Sequence, residues 1–259
     1  MKVLILAGGL GTRISEESHL RPKPMIEIGQ YPILVHIMRI YASQGFNDFV
    51  VLAGYKQQLI KEYFANFDIY TNDVTFDFKN GKRIIHDKPQ FDWNVTIADT
   101  GLKTQTGGRV LKAKRYLNDN EPFLLTYGDA VGDIDIKAVL ESHRKSGKKA
   151  TICVYNFGQD KGVVDLNTDG TVNAFREKSQ SDGDLINIGF MVVEPCVLDM
   201  IKDSTSIWEK DVLQKLAKEN ELNAYIHKGF WQCMDTIKEK ELLEKLDSQD
   251  DCPWKVWNR

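Results

Sequence analysis

The sequence predicts an α/β protein built on a mixed, mostly parallel central sheet flanked by helices, with antiparallel β insertions. Three observations lead there. Residues 2–7 (KVLILA) form a continuous apolar run, rich in β-branched residues and leucine, that stops at Gly8 as a strand buried on both faces does. Residues 32–44 carry apolar side chains at helical spacing (Leu34, Ile37, Met38, Tyr41) behind a proline tolerated in a first turn. They stop at Gly45 and lead into a second apolar run over 49–53. Strand, helix and strand in such quick succession make a crossover unit, whose two strands lie parallel. Asn80-Gly81 and Asp169-Gly170 are two-residue hairpin signals that mark the antiparallel parts.

The other elements follow in order. Residues 57–66 offer a short helix, and 71–99 alternate around Asn80-Gly81 as an antiparallel insertion. Residues 108–117 are helical, 123–127 form a buried strand ending in Gly128-Asp129, and 136–145 form a helix closed by Gly147. After residue 150 the strands come closely spaced, at 163–166 and 172–175, and helices over 208–219 and 237–246 complete the pattern. With no internal repeat, low-complexity tract or Pro/Ser-rich linker, residues 1–259 read as one domain whose halves meet near residue 150.

Composition narrows the function classes. In 259 residues, 42% are apolar, including five Trp and twelve Phe, which suffices for a sizeable core. A formal charge of -3 supplies no long-range positive field for a polyanionic strand, which argues against nucleic acid as a partner. The four cysteines are far apart and form no CxxC pair, so they read as reduced thiols in a cytoplasmic protein. The mean hydropathy is -0.36 and no run approaches the about 20 apolar residues of a spanning helix, which argues against a membrane location. The N-terminal apolar run ends in a glycine loop rather than a cleavage site, and so reads as a strand and not a signal peptide.

The chemistry concentrates in a few motifs. Gly8-Gly9-Leu10-Gly11-Thr12-Arg13 leaves the C-terminal end of the first strand, where ligands bind in open α/β sheets. Glycines let the backbone approach phosphates, and Arg13 adds a forked positive charge. The loop matches neither GxxxxGK followed by Ser or Thr nor GxGxxG, and no carboxylate follows the second strand to hold a ribose, so dinucleotide oxidoreductase chemistry is a weak reading. Arg21-Pro22-Lys23-Pro24 holds a lysine between two prolines that restrict the backbone on both sides. Asp129 closes a predicted strand at the same sheet edge as the glycine loop. Thr106-Gly107-Gly108-Arg109 opens a predicted helix, where N–H groups and short polar side chains can reach the edge of a flat base.

LAGGLGTR followed by RPKPM resembles the N-terminal signature of the sugar nucleotidyltransferases. The resemblance continues along nearly the whole chain through KEYFANF, TGGR, TYGDAV, HRKSGKKAT, EKS, GFWQCMDT and PWKVW, and is nearest to the bacterial glucose-1-phosphate cytidylyltransferases. It implies the Rossmann-like nucleotide-diphospho-sugar transferase fold, with a nucleotide-binding half over about 1–150 and a sugar-binding half over about 151–259. It also implies transfer of CMP from CTP to glucose 1-phosphate with Mg²⁺ as cofactor, and a homo-oligomer, a hexamer. Carried over residue by residue, Leu6, Ala7, Gly8, Gly9, Gly11, Thr12, Arg13, Lys23 and Gly128 hold the nucleotide, with Thr106 and Arg109 at the cytosine. Arg13, Lys23 and Asp129 are then the catalytic residues, and Asp129 and Asp235 the metal carboxylates. Tyr127, Glu177, Lys178 and Asn187 hold the sugar phosphate; without the resemblance, Glu177-Lys178 reads as a solvated strand-end ion pair. Lys161, Ser179 and Ile188 depart from the family pattern, and their volumes and charge point to a smaller, more polar acceptor pocket. Two rivals follow: the same chemistry on another phosphorylated acceptor, and a non-catalytic binding protein that would lack the metal acids.

Overall fold

The computed structural model describes residues 1–87, 91–156, 185–258 and, for their backbone, 163–166 and 172–176. Its centre is an eight-stranded sheet formed by β1 (Val3–Ala7), β2 (Asp48–Ala53), β3 (Asn94–Asp99), β4 (Phe123–Tyr127), β5 (Ala150–Asn156), β6 (Leu185–Asn187), β7 (Met191–Val193) and β8 (Leu222–His227). The strands β3, β2, β1 and β4 lie side by side and parallel. β7 is antiparallel to β4, β5 is antiparallel to both β7 and β6, and β8 joins the far side of β5 in parallel.

Every side chain of β1 is buried, as its uninterrupted apolar run requires. Val3, Ile5 and Ala7 enter a core with the helix Ile33–Ala42, while Leu4 and Leu6 enter a second core with Val110, Trp208 and Val212. Alternate residues of a strand thus serve the two faces of the sheet. The helix Ile136–Ser146 is capped at its start by Asp135, whose side chain accepts the Ala138 N–H at 2.9 Å. Among the described residues no helix is long and apolar enough to cross a membrane.

Two expectations need correction. The stretch 71–99 is only partly an antiparallel insertion: Val74–Asp77 and Lys82–Ile85 pair antiparallel around Asn80-Gly81, but β3 pairs parallel with β2 and extends the main sheet. The alternation of β3 arises because an edge strand is covered incompletely, and only Ala98 of its six residues is fully buried. The helix expected over 108–117 runs from Thr106 to Lys112 and is followed by a separate 3-10 turn, Lys114–Tyr116. The strands Val163–Leu166 and Val172–Arg176 do pair antiparallel, while Asp169-Gly170 lies outside the described residues.

The ends of β1 and β4 define the working edge. Beyond β4, Ala130–Gly132 pairs antiparallel with Trp231–Cys233, and the ladder continues through the Met234 N–H, which donates to the Asp129 carbonyl at 2.9 Å. This short ribbon brings residues 129 and 235 to the same place despite the long stretch of chain between them.

Candidate active site

A cavity of about 330 Å³ opens at the C-terminal ends of β1 and β4. It is lined by Leu6, Ala7, Gly8, Gly9, Gly11, Thr12, Arg13, Lys23, Thr106, Arg109, Tyr127, Gly128 and Asp129, all expected from sequence, and by Pro24, Thr104 and Gln105, which were not. The last two adjoin the TGGR motif, so their place could have been inferred from that motif alone.

Arg109 is only 5% exposed, and its terminal nitrogens donate to the Gly8 carbonyl at 2.9 Å, the Gly101 carbonyl at 2.8 Å, the Leu102 carbonyl at 3.3 Å and the Thr100 hydroxyl at 2.5 Å. One guanidinium therefore ties together the loops that follow β1 and β3. A Cβ on Gly8 would lie 2.2 Å from this guanidinium, and one on Gly54 2.3 Å from it, so side chains there would evict it. Burial pulls the Arg109 pKa below its ordinary value, with Asp99 partly opposing. The neighbouring Thr106 hydroxyl is also engaged inside the protein, donating to Glu209 and accepting the Trp208 N–H, both at 2.9 Å. Gly107 and Gly108 permit this docking: a Cβ on Gly108 would stand 2.6 Å from Ser204 Cα.

The opposite wall is built from charges that pair with each other. Lys23, 8% exposed between its two prolines, places Nζ 2.6 Å from Asp129 Oδ2 and 2.5 Å from Asp235 Oδ1. Arg13 pairs with the other Asp235 oxygen while its side chain stays 72% exposed. Burial by itself lowers the Lys23 pKa, but Asp129 and then Asp235 outweigh it, so the net shift is upward and the ammonium is charged. Asp235 is itself anchored: its N–H donates to Glu239 at 2.7 Å, next to the capping box that starts the helix Ile237–Asp247.

Tyr127 donates its phenol proton to Glu209 at 2.7 Å, and the Asn187 amide donates to the phenol oxygen at 3.4 Å. Burial, then Glu209, raises the Tyr127 pKa. Ile188 does not narrow the cavity as its volume suggested. It is 1% exposed, belongs to the same core as Ile14 and Phe190, and donates its N–H to the Cys153 carbonyl. The strand ends at Asn187, and the Ile188 side chain that follows it lies in the core. Glu177, Lys178, Lys161 and Ser179 lie outside the described residues.

A family model described as nucleotidyl transferase matches residues 2–246. The chain belongs to the nucleotidyltransferase family. Among individual relatives, the glucose-1-phosphate cytidylyltransferase of Salmonella typhimurium is 47% identical over 257 residues, covering 99% of this chain and 100% of that one. A mannose-1-phosphate guanyltransferase of Saccharomyces cerevisiae is 27% identical over 94% of this chain and 63% of its own length. The fold recurs in HddC from Yersinia pseudotuberculosis complexed with GMP-PN, at TM-score 0.67, 22% identity and coverage of 94% and 98% of the two chains. It recurs also in UDP-glucose pyrophosphorylase complexed with UDP-glucose, at TM-score 0.65, 17% identity and coverage of 94% and 97%.

In this nucleotidyltransferase, then, the fold brings together the glycine loop, Lys23 and Asp129, with Asp235 reaching the same cluster through Lys23 and Arg13. Asn187 reaches it through Tyr127. Glu209 is a further residue that sequence reading missed, and one that no motif could have revealed: its partners lie 82 and 103 positions away.

Proposed function

We propose that the protein is a glucose-1-phosphate cytidylyltransferase, converting CTP and α-D-glucose 1-phosphate into CDP-glucose and diphosphate. The observation that carries this reading is the Lys23 ammonium held between Asp129 and Asp235 beside the glycine-loop cavity, 2.6 and 2.5 Å from their carboxylates. The choice of CTP and glucose 1-phosphate draws on the full-length likeness to the Salmonella typhimurium enzyme.

A phosphate oxygen of the acceptor attacks the α-phosphorus of CTP in line, a P–O bond forms, and the bond to the leaving diphosphate breaks. The acceptor phosphate is already anionic near neutral pH, so no protein base or nucleophile is required and catalysis rests on alignment and charge. Backbone N–H groups of Gly8, Gly9 and Gly11, with Arg13, hold the triphosphate, and Lys23 neutralises charge growing on the α- and β-phosphates. Thr106 and Arg109 face the cytosine, and Tyr127, Glu177, Lys178 and Asn187 hold the sugar phosphate. Two carboxylates aimed at one cation position fit a Mg²⁺ ion bound by one or two carboxylates with substrate phosphates and waters. Asp129 and Asp235 would hold that ion, which supplies further neutralisation of phosphate charge when bound. Among the described residues no cluster of three or more His, Cys, Asp or Glu offers a competing site.

The same reading takes the chain as one catalytic domain, a cytoplasmic homo-oligomer and by likeness a hexamer, with the nucleotide half before residue 150 and the sugar half after it. The test is diphosphate release with CTP, Mg²⁺ and glucose 1-phosphate, beside UTP, dTTP and other phosphorylated acceptors. CTP-selective turnover of glucose 1-phosphate is expected. Activity confined to another acceptor would overturn the substrate assignment, and silence throughout would overturn the enzyme.

A further inference from the structure

Glu209 lies in the π-helical turn Trp208–Leu213, a kind of turn that recurs at functional sites. Its two carboxylate oxygens are divided between two cavity residues, one 2.7 Å from the Tyr127 phenol and one 2.9 Å from the Thr106 hydroxyl. A carboxylate can only accept, and a phenol has one proton and two lone pairs. The Tyr127 proton is therefore held by Glu209, and what its oxygen can offer a ligand is acceptor capacity. The 3.4 Å contact from the Asn187 amide leaves room for a better donor on that oxygen. A ligand donor that is neutral, uncharged and present on both substrates of the reaction above is a sugar hydroxyl.

We propose that Glu209 is a positioning residue that fixes Tyr127 as a hydrogen-bond acceptor for a sugar hydroxyl and locks this reader to the helix carrying Thr106. The inference rests on the sugar-nucleotide reading above. The hydroxyl belongs either to the ribose of CTP or to the hexose of the acceptor, and Asn187 beside Tyr127 favours the hexose. A glutamine at 209 can turn its NH₂ toward the phenol, which then donates outward and presents the wrong polarity to the hydroxyl.

The test compares steady-state kinetics of wild type, Glu209→Gln, Tyr127→Phe and the double variant, varying CTP and glucose 1-phosphate in turn. Losing one hydrogen bond to the ligand should raise one KM about tenfold with a smaller fall in kcat. The same KM should rise in both single variants, and the double variant should be no worse than Tyr127→Phe, because both remove one interaction. Deoxy-ribose and deoxy-hexose analogues then locate the hydroxyl, since the analogue lacking it should be indifferent to Glu209→Gln. Unchanged KM values in Glu209→Gln, or additive losses in the double variant with lowered Tm and no KM preference, would overturn the proposal. If Glu209→Gln does not fold, an unchanged KM in Tyr127→Phe overturns it equally. If the wild type does not turn over CTP and glucose 1-phosphate, the functional reading fails instead. Calorimetric binding of CMP and glucose 1-phosphate to wild type and Glu209→Gln then decides the proposal, weaker binding of one ligand supporting it and equal binding overturning it.

Discussion

The two walls of the cavity use cations in opposite ways. On one wall, Arg109 is buried and its terminal nitrogens are occupied by loop carbonyls and the Thr100 hydroxyl, so its charge holds up the architecture. On the other, Lys23 and Arg13 have Asp129 and Asp235 as their ion-pair partners among the described residues, carboxylates whose place a phosphate can take. Carbonyl partners belong to the backbone and cannot leave, whereas ion-pair partners can exchange. The difference teaches that proximity to a cavity does not by itself make a cation catalytic; what matters is whether its present partners can be given up.

The largest effects should fall on the exchangeable wall. Lys23→Ala and Asp129→Ala should each lower kcat by roughly 10²- to 10³-fold, read as diphosphate release, while retaining the folded state by circular dichroism. Near-normal turnover in either would dissolve the comparison from its catalytic side. Arg109→Ala should leave several loop carbonyls without a donor and lower unfolding stability by about 3 kcal/mol in denaturant titration. Arg109→Lys should recover little of it, because an ammonium cannot span the carbonyls that the fork reaches. Full stability with only a raised KM for CTP would make the two walls alike. Gly108→Ala drives a methyl group against Ser204 and should lower stability by about 1–3 kcal/mol.

The upward pKa of Lys23 gives a pH test. A raised folded-state value means that the stabilisation is fully present below the unfolded lysine value and is lost as pH climbs through the folded one. The stability gap between wild type and Lys23→Met should therefore hold through neutral pH and close only above 10.5. The smallest effect belongs to a pair outside both walls: Lys240, 2.7 Å from Glu17, should change stability by less than about 1 kcal/mol when replaced by Met.

Much of the glycine-loop side of the molecule was legible because its signals are local. The apolar run of β1, the helical spacing of 33–42 and the Gly128-Asp129 strand end each declare themselves within a few residues. What escaped depends on contacts between distant segments. β3 alternates like an insertion strand because it stands at an edge, and only its pairing with β2 reveals that it is parallel. Asp235 has no local signature as a cluster member; its position follows from the ladder between 130–132 and 231–233. Ile188 was judged by its volume, but what decides its effect is where the chain directs it just past the strand Leu185–Asn187, which is into the core. Glu209 acts through Tyr127 and Thr106, residues that a sequence window centred on it never includes.

The ribbon that joins Asp129 to Asp235 also bears on how the protein is made. A ribosome delivers Lys23 and Asp129 before Asp235, with more than a hundred further residues added in between. The trio is completed only when 231–233 docks against 130–132 and the Met234 N–H reaches the Asp129 carbonyl. A chain interrupted between residues 129 and 235 contains every residue of the cavity lining but lacks one of the two carboxylates that balance Lys23 and Arg13. Assembly of the cluster thus requires a polypeptide that includes residue 235 and has folded back onto its own first half.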